Sequence, residues 1–211
     1  MKNLVIIGAR AFGREVYNLA LQSVGYGENY IVKGFLDGKT DALSSYNGYP
    51  EIIGDPETYI PREDDLFICA LGDVKYKKKY VDMLLAKGAE FTTLIHKESV
   101  IERNTKIGKG CIVCRWVNIS CDTEIGDFVT IQPFSDVGHD VKIGNYSHLN
   151  AHSFLGGFVI VEDEATINTG AIIHPHKKVG MQATVGAGSL VLRNVKPGTT
   201  VLGVPAKLLE I

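Results

Sequence analysis

The sequence predicts two folds in tandem: an α/β unit with a small Rossmann-like parallel sheet over residues 1–95, then an all-β left-handed parallel β-helix over residues 96–211. Three observations predict this. The N-terminal part alternates short apolar runs with amphipathic stretches, the C-terminal part repeats in sixes, and the period changes once, close to residue 95.

The first unit opens with an apolar run from Leu4 to Ile7, a turn through Gly8 and Gly13, and an amphipathic stretch from Arg14 to Val24. That is a β-turn-α start. Further strands are expected at Lys33 to Leu36 and Leu66 to Ala70, with a Lys-rich helix from Lys75 to Lys87 stopped by Gly88. Lys75, Lys77, Lys78 and Lys79 read as the solvated face of that helix. Strands alternating with helices imply a parallel sheet, with a ligand crevice at the C-terminal ends of its strands.

From Ile101 to Val191 every sixth residue is Ile, Leu or Val, sixteen in succession. Four positions further on stand small or β-branched residues such as Thr105, Cys111, Ser135, Ala165 and Ser189, with Lys177 as the exception. Gly follows the aliphatic residue at Gly108, Gly126, Gly138, Gly144, Gly156, Gly180 and Gly186. A period of six with two inward positions describes a short strand and a tight turn, and three such units close a triangular coil. Stacked at the spacing of paired strands, sixteen hexapeptides build roughly five coils and a prism about 25 Å long. An ordinary β-sandwich does not hold a strict six-residue step for ninety residues.

Composition narrows the partners. Lys and Arg number 22 against 24 Asp and Glu, so no basic excess points to nucleic acid or an anionic membrane. The apolar run before Gly8 is too short for a signal peptide or a membrane span, and a cytoplasmic location is expected. Cys69, Cys111, Cys114 and Cys121 are too few and too uneven for a disulfide framework. Cys111 and Cys114 form a lone CxxC without a second pair to complete a zinc set, and no metal is expected.

The hexapeptide pattern resembles the hexapeptide acyltransferase superfamily. Val185, Gly186, Ala187, Gly188 and Ser189, followed by Gly203, Val204, Pro205, Ala206 and Lys207, look like the last coil and C-terminal segment of its acetyl-CoA-dependent members. A small α/β unit ahead of the prism resembles the PglD/NeuD subfamily of bacterial sugar acetyltransferases. That resemblance runs through Gly8-Ala9, Phe35 to Asp37, Ala70 to Gly72, Leu94 to Lys97, Gly138 to Asp140, Ser147-His148 and Gly156-Gly157.

The resemblance implies His139 as catalytic base and Asp140 as the acidic residue that supports it. The register places both at a corner, because Val137 faces inward and Gly138 outward. A turn His beside a carboxylate can be held in one tautomer and accept a proton. His148, Gly157 and Thr169 are implied as acetyl-CoA contacts, Gly157 with its N–H toward the developing oxyanion. Gly8, Arg10, Ala11, Phe12, Asp37 and Gly72 are implied as contacts to a nucleotide-linked sugar, with Gly8 and Gly13 turning the chain into a helix N-terminus suited to phosphate. Arg10, Ala11 and Phe12 depart from the Ser-Gly-His common in the subfamily, and Gly38 stands where a second Asp can occur. His152, His174 and His176 read as surface histidines, and His148 and His152 lack the spacing of a β-helical zinc site.

The implied activity is N-acetylation of a UDP-linked 4-amino sugar in glycan biosynthesis by an acetyl-CoA-dependent homotrimer. O-acetylation of sialic acid or another glycan sugar is the alternative within the class. Outside it stand a metal-dependent β-helical hydrolyase and a non-catalytic scaffold that binds a nucleotide sugar.

Overall fold

The computed structural model describes residues 1–210 and divides into two compact units, Met1–Lys97 and Glu98–Ile211. In the first unit, strands β1 (Lys2–Ile7), β2 (Tyr30–Leu36), β3 (Ile52–Gly54), β4 (Asp65–Cys69) and β5 (Glu90–Phe91) form one sheet in the order β3-β2-β1-β4-β5. Every pairing is parallel. The central strands are apolar throughout because both faces are covered: Leu4, Val5, Ile6, Phe35, Leu36, Phe67 and Ile68 are fully buried. Order reverses beside β1, which makes the C-terminal ends of β1 and β4 the topological switch point.

Two helices, α1 (Ala11–Leu21) and α2 (Val74–Ala86), complete the unit. α1 starts and stops three residues earlier than its apolar pattern suggests, with the Arg14 N–H already bonded to the Arg10 carbonyl. Gly13 permits this early start. A Cβ there would lie 2.0 Å from the Gly8 carbonyl oxygen, so only Gly lets the first turn of α1 press onto the end of β1. α2 is capped by the Asp73 side chain, which accepts from the Tyr76 N–H at 3.0 Å. Lys77 corrects the solvated-face reading of this helix, because it is buried on the same face as Val81 and Leu84. β3 and β5 are too short to carry a period and were not expected from the sequence.

One polar cluster ties the sheet together. Lys33 Nζ lies 2.6 Å from Asp65 Oδ1, the Tyr59 hydroxyl donates to Asp65 Oδ2 at 2.8 Å, and the Arg62 N–H donates to the same oxygen at 3.0 Å. Burial raises the Asp65 carboxyl, but these donors outweigh it and hold the group below its ordinary value.

The second unit is a parallel β-helix of two-residue strands on three faces. Val100–Ile101, Asn118–Ile119, Asp136–Val137, Phe154–Leu155, Ile172–Ile173 and Leu190–Val191 make the first face. The second carries Lys106–Ile107, Glu124–Ile125, Lys142–Ile143, Ile160–Val161 and Lys178–Val179. The third includes Ile112–Val113, Thr130–Ile131, His148–Leu149, Thr166–Ile167 and Thr184–Val185. Each strand pairs with the one eighteen residues away, as Asp136–Val137 does with Phe154–Leu155. Val137, Leu149, Leu155, Ile167, Ile173, Val179 and Val185 are fully buried in the interior. Ser and Thr at the second inward position return their hydroxyls to the backbone: Thr123 donates to the Gly138 carbonyl, Ser135 to Asn150 and Ser147 to Glu162.

The corners follow one conformational rule. All twelve non-glycine residues with positive φ among the described residues occupy the same hexapeptide position, from Asn104 to Gln182, with φ between 57° and 61°. L-residues adopt this left-handed conformation at a cost of about 1–2 kcal/mol each. The coil offsets that cost, because the corner N–H reaches the previous coil: Asp140 N–H bonds to the Cys121 carbonyl and Phe158 N–H to the His139 carbonyl. At the far end Thr200–Leu202 extends the third face, and Lys207–Leu208 pairs antiparallel with it, covering the C-terminal edge of that face.

Candidate active site

Gly138, His139 and Asp140 form the corner between the first and second faces, where Asp140 takes the left-handed conformation at φ 57°. This curvature turns two adjacent side chains toward each other. His139 Nδ1 and Asp140 Oδ2 lie 2.8 Å apart, with 55% and 44% of the side chains exposed. With Nδ1–H donating to the carboxylate, the lone pair sits on Nε2.

The next coil shapes the space around the ring. Gly157 lies eighteen residues on, directly beside His139, and a Cβ there would stand 2.7 Å from Nε2 and 2.8 Å from Cε1. Gly157 is therefore bare because the imidazole occupies the volume of its side chain. Gly156 has a different reason, since a Cβ would meet the Pro175 ring at 2.6 Å. The Gly157 carbonyl accepts from the His176 N–H, while the Gly157 N–H has no acceptor among the described residues. At several other corners, though not all, that N–H is covered by a side chain: Glu102 caps Cys121, Asn145 caps Asp127 and Asp163 caps Asn145. The corner thus joins a lone-pair acceptor to an uncovered N–H donor. Phe158 lies against the imidazole edge-to-face at 5.2 Å and stacks on His176 at 4.8 Å.

His148 and Thr169 stand elsewhere. His148 is buried on the third face, opposite the corner of His139, and Thr169 is exposed at the corner between the third and first faces. One chain alone does not bring them to His139.

In the first unit, Gly8, Arg10, Ala11, Phe12, Asp37 and Gly72 all line one cavity of about 590 Å³ at the C-terminal ends of β1, β2 and β4. Gly8 has φ 96°, and a Cβ there would lie 2.9 Å from Leu71. Asp37 is anchored by the Ala9 N–H at 3.0 Å and the Lys39 N–H at 2.9 Å, and faces Arg10 Nε at 3.9 Å. The N-terminus of α1 opens into the same space, so a helix dipole and a guanidinium converge where an anion would sit. Pro56, Tyr76 and Tyr80 add an apolar wall that the sequence reading missed. Tyr76 and Tyr80 are four apart on α2, a spacing that could have shown them on one face.

Cys111 and Cys114 are buried, and Cys69 is fully buried with its thiol pushed up to about 12 by burial. Among the described residues no group of three His, Cys, Asp or Glu converges as a metal site, and no helix is long and apolar enough to cross a membrane.

Comparison with known proteins bears on the fold and the family. The family described as the GMPPB C-terminal domain matches residues 87–196, and the PglD N-terminal domain matches residues 3–84. A GDP-perosamine N-acetyltransferase of Escherichia coli O157:H7 is 32% identical over 127 residues, 58% of this chain and 56% of that protein. A UDP-N-acetylbacillosamine N-acetyltransferase of Bacillus subtilis (strain 168) is 29% identical over 117 residues, 54% of this chain and 51% of that protein. The alignments thus span about half the length of these curated relatives. PerB from Caulobacter crescentus, solved with CoA and GDP-perosamine, superposes with a TM-score of 0.87 at 28% identity, covering 100% of this chain and 98% of that one. The acetyltransferase domain of PglB from Neisseria gonorrhoeae FA1090, solved with acetyl coenzyme A, gives 0.89 at 28% identity, covering 99% of each chain. The chain belongs to the family described as the GMPPB C-terminal domain, with a region similar to the PglD N-terminal domain ahead of its left-handed β-helix.

Proposed function

We propose that the protein transfers the acetyl group of acetyl-CoA to the 4-amino group of a nucleotide-linked sugar, UDP-linked in our reading, and that His139 is the general base. The observation that carries the mechanism is the His139 imidazole, held through Nδ1 by Asp140, with Nε2 beside the bare, N–H-presenting Gly157. As the amine nitrogen attacks the thioester carbon, Nε2 takes the amine proton. The carbonyl oxygen gains charge and the Gly157 N–H is placed to bind it. Collapse expels the CoA sulfur, which recovers a proton from His139, leaving an amide and a thiol. A thioester is already activated, so positioning and one base supply the acceleration.

The cavity of the first unit supports a nucleotide-linked acceptor. Arg10 and the α1 N-terminus suit a diphosphate, with Gly8, Ala11, Phe12, Asp37 and Gly72 around it. His148 and Thr169 are proposed to contact acetyl-CoA from a neighbouring copy, which gives the homotrimer its reason: another chain would carry these residues to a His139 that its own chain keeps apart from them. A cytoplasmic location fits a reaction that consumes acetyl-CoA. A thiol-release screen over free and nucleotide-activated amino sugars tests the reading. Turnover confined to nucleotide-linked 4-amino sugars supports it, and release with free amino sugars alone contradicts it.

A further inference from the structure

Phe158 sits one coil beyond Asp140, in the same corner column and the same left-handed conformation, at φ 61°. Trp116, Phe128, Phe134 and Tyr146 take the same corner conformation, so the conformation alone does not single Phe158 out. Its ring is half exposed, with 46% of the residue open to solvent, so core burial does not explain it. What it touches is specific: one contact is the His139 imidazole, perpendicular at 89° and 5.2 Å, and the other is His176, nearly parallel at 6° and 4.8 Å. The imidazole is thereby bounded by Asp140 at Nδ1, by the bare Gly157 where a side chain would otherwise stand, and by the Phe158 ring.

We infer that Phe158, propped by His176, is a positioning residue that holds the His139 imidazole in the one orientation where Nδ1 meets Asp140 and Nε2 lies beside Gly157. The inference rests on the proposal that His139 is the base. Aromatic rungs are also found at the other two corners, where Trp116 lies against Phe134 at 4.7 Å, Phe134 stacks on His152 at 4.8 Å, and Phe128 stacks on Tyr146 at 5.0 Å. A rung that merely stiffens a corner and a rung that orients a base therefore need separating. Phe134, 48% exposed, is the matched control.

Four variants of the full-length protein separate them: Phe158→Leu, Phe158→Tyr, Phe134→Leu and His139→Ala. Each is measured for kcat, KM for acetyl-CoA and Tm, with nitrogen NMR of the His139 tautomer in the two Phe158 variants. An edge-to-face aromatic pair of this geometry corresponds to about a three- to tenfold effect. Phe158→Leu is expected to lose that much in kcat with an unchanged KM and a mixed tautomer. Phe158→Tyr restores both, and Phe134→Leu changes Tm alone. The inference is overturned if Phe158→Leu keeps its kcat, or loses activity only in proportion to folded protein, while His139→Ala is inactive; the base assignment then still stands. If His139→Ala itself keeps normal turnover, the base assignment fails and the positioning role goes with it.

Discussion

The imidazole of His139 is half exposed, bonded to one carboxylate and flanked by a glycine, so its substitution removes chemistry without emptying a core. His139→Ala is expected to keep its Tm and its acetyl-CoA affinity while kcat falls at least about 10²-fold, the usual scale for a general base. Asp140→Asn should be milder, near tenfold, because Asn tolerates the left-handed corner and its amide oxygen still accepts from Nδ1–H. Steady-state kinetics on both variants check the order, and greater damage from Asp140→Asn would make Asp140 the primary group. Gly157→Ala makes a sharper test. The new Cβ would need the space that the imidazole now fills at 2.7 Å, and a half-exposed ring can swing away, so kcat should fall more than tenfold with Tm changed by only a degree or two. Gly156→Ala should do the reverse, since its Cβ meets the Pro175 ring, and comparing Tm with kcat/KM across the pair tells a packing glycine from a site glycine. The His139–Asp140 contact was legible from the register, which put both at a corner. The contacts across the coil were not, because the eighteen-residue stacking puts Gly157 and Phe158 near His139 but does not say which way the imidazole and phenyl rings turn.

Among the elements, the polar cluster of Lys33 on β2 and Asp65 on β4 makes the sheet sensitive to acid. Asp65 is held below its ordinary value near 3.8, so its contribution is complete above that value and is lost as pH falls through the lower, folded one. Lys33 is raised: burial opposes this, but hydrogen bonds to Asp65 and Tyr59 outweigh it. Its contribution is therefore complete below about 10.5 and lost only as pH rises beyond that, leaving the neutral range unaffected. Thermal unfolding of the protein from pH 7 down to pH 3 should show the first unit losing stability below about pH 4. Asp65→Asn should flatten that dependence, and Asp65→Ala should cost about 3–5 kcal/mol at pH 7 by leaving Lys33 without its buried counter-charge. An unchanged acid limb in Asp65→Asn would assign the sensitivity to other carboxylates. The strands of the prism were readable because one aliphatic residue per six must face the interior, and β1, β2 and β4 because both their faces are buried. α1 was misplaced by three residues for a tertiary reason: its start is set by Gly13 against the Gly8 carbonyl, a contact with no periodic signature. Lys77 was misread because a charge on an amphipathic helix ordinarily marks the wet face, whereas this one is folded into the unit.

At the scale of the whole molecule, the proposed reaction draws on a feature of each unit: the switch-point cavity that suits an anion-bearing ligand in the first, and the corner with His139 beside an uncovered N–H in the second. Six residues scattered over Gly8 to Gly72 come together in that cavity because the ends of β1, β2 and β4 and the start of α1 meet there, which the β-turn-α pattern already implied. The positions of His148 and Thr169 are the opposite case, since residue spacing says which face they occupy and nothing about what a neighbouring copy brings to it. A general base serves an attacking amine or hydroxyl alike, so the expectation of an amine acceptor rests on the N-acetyltransferases that the chain resembles. The direct measurement is turnover with carbonyl-labelled acetyl-CoA and two nucleotide-linked sugars that differ only in bearing an amine or a hydroxyl at C4. Thiol release and label are followed together. One labelled amide is expected for each thiol released from the amine, with no transfer to the hydroxyl sugar; labelled ester from the hydroxyl sugar, or thiol release from either without a labelled sugar, would contradict N-acetylation of a 4-amino sugar.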